Sequence, residues 1–146
     1  MNIRVEQNVF LRAHETANAQ SIWFVHGFAE SSFSFADLFQ TPLRDHYNLY
    51  APDFPGFGVS PFQTHGGSIQ EASLILLDLI ERLSSDDRIF LVGHSLGSVL
   101  CTQGAQLKPE RITAFVSIEG NLTEADAYFS GQATRYNTGL ASIPFK

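Results

Sequence analysis

Ile89-Phe90-Leu91-Val92-Gly93-His94-Ser95-Leu96-Gly97-Ser98-Val99-Leu100 is the stretch whose reading decides the fold. A short apolar run ends in Gly93, a lone hydroxyl follows at Ser95, and Gly97 opens a segment rich in helix formers. The pattern G-x-S-x-G fits a strand that turns sharply into a helix with a serine at the apex. In so tight a turn the backbone passes close to its neighbours, and a Cβ at either glycine would collide. The serine is then held in a strained conformation with a helix start behind it, an arrangement that suits a nucleophile. The alternative for these five residues alone is a glycine-rich strand-to-helix turn with an incidental serine.

Working outward, Ser21-Ile22-Trp23-Phe24-Val25 is apolar throughout, as strands covered on both faces are, and it ends at His26-Gly27-Phe28. Residues 2–13 alternate and predict a β-hairpin or two antiparallel edge strands. Ser34 reads as the cap of a helix running to about Thr41, before Pro42. Residues 47–51 form the next strand candidate. The following stretch, 52–61, carries three prolines and two glycines and must be loop. Ser68-x-x-Glu71 is a capping box, and the helical spacing after it predicts an amphipathic helix over 69–83. The elbow strand (88–92) and its helix (96–107) follow. Pro109 stops that helix, and residues 112–118 read as one more buried strand ending at Glu119-Gly120-Asn121.

Strands alternating with helices predict an α/β fold, a mainly parallel sheet with helices on both faces. In such sheets ligands bind beyond the carboxyl ends of the strands. The motifs at 26–28, 53–60, 93–97 and 119–121 each follow a strand's carboxyl end, so they are expected to meet at one site.

Composition narrows the function classes. The 146 residues leave room for one domain, with 44% apolar and 16% charged residues. A net charge of −6, with nine scattered Lys and Arg residues, argues against a nucleic-acid partner. The five histidines have no metal-ligand spacing, and one cysteine, Cys101, is too few to help them, so neither a metal site nor a cofactor is expected. Cys101 reads as a small core residue. No apolar run approaches a membrane span and residues 1–6 lack a signal-peptide core, so a cytoplasmic protein is expected.

Three motifs, in this order, resemble those of the α/β-hydrolase fold family, particularly its cap-bearing members. His26-Gly27-Phe28 is similar to the oxyanion loop, Asp53-Phe54-Pro55-Gly56-Phe57-Gly58-Val59-Ser60 to the loop after the family's fourth strand, and Gly93-His94-Ser95-Leu96-Gly97 to its nucleophile elbow. The resemblance is clearest over residues 20–121. It implies that Ser95 is a nucleophile attacking a carbonyl carbon, with backbone N–H groups of Phe28 and Leu96 as oxyanion donors. His26 and His94 are then expected to serve structure rather than act as bases, and Asp53 to brace its loop.

The resemblance also shows what does not follow Ser95. The family's triad order is Ser, Asp or Glu, then His, and no histidine follows His94 in these 146 residues. Glu119, at the end of the strand after the elbow helix, stands where some members place the acid. It is either that acid or a carboxylate tethering its loop. The chain thus reads as the N-terminal part of a longer enzyme, with residues 1–121 in the core domain and 122–146 starting a cap, truncated before the last strands and most of that cap. An unpaired edge after residue 118 would then favour self-association or pairing with the missing C-terminal part.

Two functions remain in view. The first is a serine hydrolase of a small or medium ester, thioester or related carbonyl substrate, with acyl transfer and cofactor-free C–C bond hydrolysis open at the same site. On that reading the 146-residue chain alone is expected to be inactive. The second is a non-catalytic module binding a ligand or protein partner in the same pocket. Phe28, Phe57 and Phe129 are candidate apolar lining, although thirteen phenylalanines make core packing the competing role.

Overall fold

A computed structural model describes residues 1–17, 19–64, 67–84, 88–120 and 123. Apart from Thr123, the expected cap segment lies outside these residues, as does Phe129. The strands are β1 (Asn2–Glu6), β2 (Val9–His14), β3 (Ser21–Val25), β4 (Asn48–Asp53), β5 (Ile89–His94) and β6 (Ile112–Ile118). They form one sheet in the order β1-β2-β4-β3-β5-β6. The first two pairings are antiparallel and the rest parallel, as the sequence predicts. Gln7 and Asn8 take positive φ values of 50° and 65°, the conformation that joins twisted strands through a two-residue turn.

Strand β3 shows why its run is apolar throughout. Successive side chains point to opposite faces, and all five residues are buried. Trp23 and Val25 enter the larger core, whereas Ile22 and Phe24 enter a smaller one with Phe35, Phe39, Leu49 and Ala51. Trp23 also stacks on Tyr50, its register partner in β4, with ring centroids 4.6 Å apart.

Helices α2 (Ile69–Leu83) and α3 (Leu96–Leu107) cover the larger core. The capping box of α2 is formed: the Ser68 hydroxyl accepts from the Glu71 N–H at 3.1 Å, and Glu71 Oε2 accepts from the Ser68 N–H at 3.1 Å. Its apolar stripe is buried at Ala72, Leu76, Leu79 and Ile80. Cys101 is fully buried in α3, and burial pushes its thiol pKa up, in keeping with a packing role.

Two expectations need correction. The segment after β3 is a 3-10 helix, Ser32–Gln40, and its cap is Ser31 rather than Ser34, the Ser31 hydroxyl accepting from Phe33 N–H. A short helix, α1 (Leu43–His46), follows it. Strand β6 is not buried. Among the described residues it pairs only with β5 at the edge of the sheet, and Val116 and Ile118 are 54% and 41% exposed.

Candidate active site

The turn after β5 is as tight as its sequence requires. Ser95 stands between β5 and α3 at φ 49° and ψ −117°, a region that non-glycine residues rarely adopt. A Cβ on Gly93 would lie 2.6 Å from Gly97 O and 2.7 Å from Ser98 Cα. One on Gly97 would fall inside 3.0 Å of Val25 O, Val25 C and His26 O. The glycines thus let α3 start directly against the end of β3. Ser95 is half-buried. Its N–H donates to Ile118 O at 2.9 Å, and its carbonyl accepts from Ser98 N–H at 2.9 Å.

Of the four motifs expected to meet, those at 26–28, 53–60 and 93–97 contribute to one cleft, whereas Glu119 does not line it and meets His94 instead. A cleft of about 110 Å³ is lined by His26, Gly27, Phe28, Phe54, Phe57 and Leu96, with Ser68, Ile69 and Ala72 contributing from the start of α2. It therefore joins the loop after β3, the loop after β4 and the start of α3. Phe28 and Leu96 line this cleft, whereas Ser95, the residue before Leu96, is not among its lining residues. Leu96 is the first residue of α3, where an N–H has no carbonyl within the helix. The loop after β3 comes close because Gly27 lacks a side chain: a Cβ there would sit 3.2 Å from Ser95 Cβ.

The two histidines beside the motifs take different surroundings. His26 is buried, its Nδ1–H donating to Gly27 O at 2.8 Å and its Nε2 accepting from Phe54 N–H at 3.2 Å. Burial lowers its pKa below the ordinary value despite the nearby Gly27 carbonyl, Asp53 and Glu30. A neutral ring with both nitrogens engaged braces the loops after β3 and β4. His94 places Nδ1 at 2.9 Å from Glu30 Oε1 and Nε2 at 3.5 Å from Glu119 Oε2.

Asp53 braces its loop, as expected. Its buried carboxylate accepts from Ser32 N–H at 2.6 Å and Val59 N–H at 2.8 Å, while its carbonyl accepts from Ser60 Oγ at 2.5 Å. Gly58, at φ 53°, leaves room for that carboxylate. Glu119 lies just past the carboxyl end of β6 at φ 47°, with its side chain 83% exposed and turned to His94.

Glu30 carries no motif and sequence reasoning passed over it. Its Oε2 accepts from Gly27 N–H at 3.0 Å, and its N–H donates to Gly27 O at 3.3 Å. Partial burial alone would raise its pKa, but the Gly27 N–H and His94 outweigh that and hold it below the ordinary glutamate value. The available signal was an acid three residues after the glycine of His26-Gly27-Phe28.

Among the described residues no group of three or more His, Cys, Asp or Glu could hold a metal, and no helix is long and apolar enough to cross a membrane.

Comparison with known proteins agrees with this architecture. An uncharacterised hydrolase of Bacillus subtilis, YugF, is 33% identical over 110 residues, covering 75% of this chain and 40% of its own length. A pimeloyl-[acyl-carrier protein] methyl ester esterase of Photobacterium profundum is 32% identical over 94 residues, covering 64% of this chain and 34% of its own length. An alpha/beta superfamily hydrolase of Oenococcus oeni superposes with a TM-score of 0.75 at 21% identity, over 84% of this chain and 46% of its own, and so shows the shared fold. The chain spans less than half the length of each of these proteins. A family model described as alpha/beta hydrolase fold matches residues 20–138, most of the sequence, and the chain belongs to that family.

Proposed function

We propose that this chain carries the nucleophile and oxyanion donors of a serine hydrolase acting on a small or medium ester, thioester or related carbonyl compound. The observation that carries the reading is the strained Ser95 at the amino end of α3, directly before Leu96, which lines a cleft together with Phe28. In the proposed reaction Ser95 Oγ attacks the carbonyl carbon, a base takes its proton, and the carbonyl oxygen becomes an oxyanion. Backbone N–H groups of Phe28 and Leu96 are its donors on this reading. Collapse of the intermediate expels the alcohol or thiol and leaves an acyl-enzyme, which water hydrolyses.

A serine at the elbow fits this chemistry better than that of family members whose nucleophile is a carboxylate. The similarity to a methyl ester esterase favours the same substrate class. The base is a histidine that the 146 residues do not supply after Ser95. Glu119 is the candidate acid that would orient that histidine.

A fluorophosphonate probe on the natural full-length protein tests the reading. It should label Ser95, and Ser95→Ala should abolish labelling and lower turnover by several orders of magnitude. Undiminished labelling in Ser95→Ala would remove Ser95 from the role. A wild-type protein that neither reacts with the probe nor hydrolyses p-nitrophenyl butyrate would favour the ligand-binding module. Wild-type turnover in Glu119→Ala would return Glu119 to a structural role.

A further inference from the structure

The geometry points to Glu30, anchored by His94, as the residue that aims the Phe28 N–H at the oxyanion position. It is a positioning residue, and this inference rests on the serine-hydrolase reading. The N–H of Phe28 and the C=O of Gly27 belong to one peptide unit. In a trans peptide these two groups point in opposite directions, and the structure contains no cis bond among its described residues. Whatever holds Gly27 O therefore sets the direction of Phe28 N–H.

Two donors hold that oxygen, His26 Nδ1 at 2.8 Å and Glu30 N at 3.3 Å. The preceding peptide is fixed as well, because Gly27 N–H donates to Glu30 Oε2. One residue thus grips both sides of Gly27.

The turn needs such a grip. Glu30 N–H to Gly27 O closes a four-residue turn whose third residue, Ala29, stands at φ 60°, a place where glycine is preferred. Strain of this kind persists only where surrounding contacts over-determine the conformation. The His94 contact supplies the second anchor, at 2.9 Å from Glu30 Oε1. Since His94 immediately precedes Ser95, the loop that carries one oxyanion donor is tied to the turn that carries the nucleophile and the other donor. This side-chain pair adds to the β3–β5 pairing and to the close approach of Gly97 to the end of β3 in registering the loop to the elbow.

The test compares Glu30→Ala with Glu30→Gln in the natural full-length protein. Glutamine keeps an oxygen for Gly27 N–H and a polar atom for His94, whereas alanine loses both contacts. Losing an oxyanion donor outright slows acyl transfer by about 10²–10³, so a misaimed one should lower kcat for p-nitrophenyl butyrate about tenfold or more. KM should stay within about threefold, and fluorophosphonate labelling should slow in parallel. Glu30→Gln should restore kcat to within about threefold of wild type, and exchange of the Gly27 amide should accelerate in Glu30→Ala alone. If Glu30→Ala does not fold, Glu30→Asp, which withdraws the carboxylate by one methylene, replaces it with the same expectations.

Wild-type kcat in Glu30→Ala, a change in KM alone, or a Glu30→Gln as impaired as Glu30→Ala would each overturn the inference. A wild-type protein that does not react with the fluorophosphonate overturns the serine-hydrolase reading instead. Gly27 amide exchange then decides the role of Glu30: acceleration in the alanine variant alone supports the grip, and unchanged exchange refutes it.

Discussion

Adding one methyl group at Gly97 tests the reasoning that makes the elbow specific. The three atoms nearest the Cβ of Gly97→Ala would all be backbone at and just past the end of β3, with Val25 C at 2.7 Å, His26 O at 2.8 Å and Val25 O closer still. Carbon atoms pack best at about 3.5–4.0 Å, so β3 and α3 must separate by roughly 0.8 Å or more. None of these atoms can rotate aside. Overpacking of this kind costs about 1–3 kcal/mol, and the rigidity of the site places Gly97→Ala at the upper end, about 3 kcal/mol. Alanine's better helix propensity offsets at most about 1 kcal/mol, leaving a net loss of about 2 kcal/mol. With an m-value near 2 kcal/mol/M, the urea midpoint falls by about 1 M. Equilibrium urea unfolding followed by circular dichroism measures it. A midpoint within about 0.2 M of wild type, at unchanged m, would refute the claim that glycine is required here by close approach.

Gly104→Ala is the matched control: its Cβ would meet Leu77 Cδ2 at an ordinary 3.7 Å, so this change in the last turn of α3 should stabilise by up to about 1 kcal/mol in the same assay. Ser95→Gly should exceed Ser95→Ala in stability by about 1 kcal/mol, because alanine keeps the strain at φ 49° and glycine relieves it; equal midpoints would remove strain from the account. Asp53→Asn places an amide NH2 against one of two N–H donors in a buried site and should cost about 3 kcal/mol by urea unfolding, with a loss under about 1 kcal/mol counting against the bracing role. The pH dependence follows from His26, whose folded pKa lies below 6.5. The unfolded chain therefore binds the proton first, and stability falls as pH drops below about 6.5, until the folded ring also titrates. Glu30, lowered by the Gly27 N–H and His94, adds a further loss below about 4.5. Urea midpoints between pH 7.5 and 5.5 should slope downward in wild type and flatten in His26→Gln; equal slopes would refute the assignment.

Local signals gave up the elements and their order, because the physics that encodes them is local. The Ser68 and Glu71 pair caps α2 with atoms three residues apart, and the unbroken run in β3 records that both faces of that strand are covered. The 3-10 helix was harder to place, since Ser31 and Ser34 are both capable caps within one turn of each other. Strand β6 departs from its buried expectation for a different reason. An apolar run reports the capacity to be covered, and whether cover is present depends on elements remote in sequence. The Glu30–His94 contact was illegible in the same way: the residues lie 64 positions apart, and only the parallel pairing of β3 with β5 brings their carboxyl ends together.

That pairing also explains where backbone strain accumulates. Among the described residues five non-glycine positions have positive φ. Gln7 and Asn8 are accounted for by the twist of the β1–β2 hairpin, at a place where local geometry demands it. The other three, Ala29, Ser95 and Glu119, follow the carboxyl ends of β3, β5 and β6, which are adjacent in the sheet. No hairpin requirement applies to them, because parallel strands are joined through helices rather than tight turns. What holds them is mutual: Ser95 N–H is bound by the last residue of β6, Ile118, while His94 lies between Glu30 and Glu119. Strain at three neighbouring strand ends, each secured by its neighbours, is the pattern expected when backbone donors and a hydroxyl must be held ready for a reaction. Glycine at any of the three would adopt the same conformation without that strain.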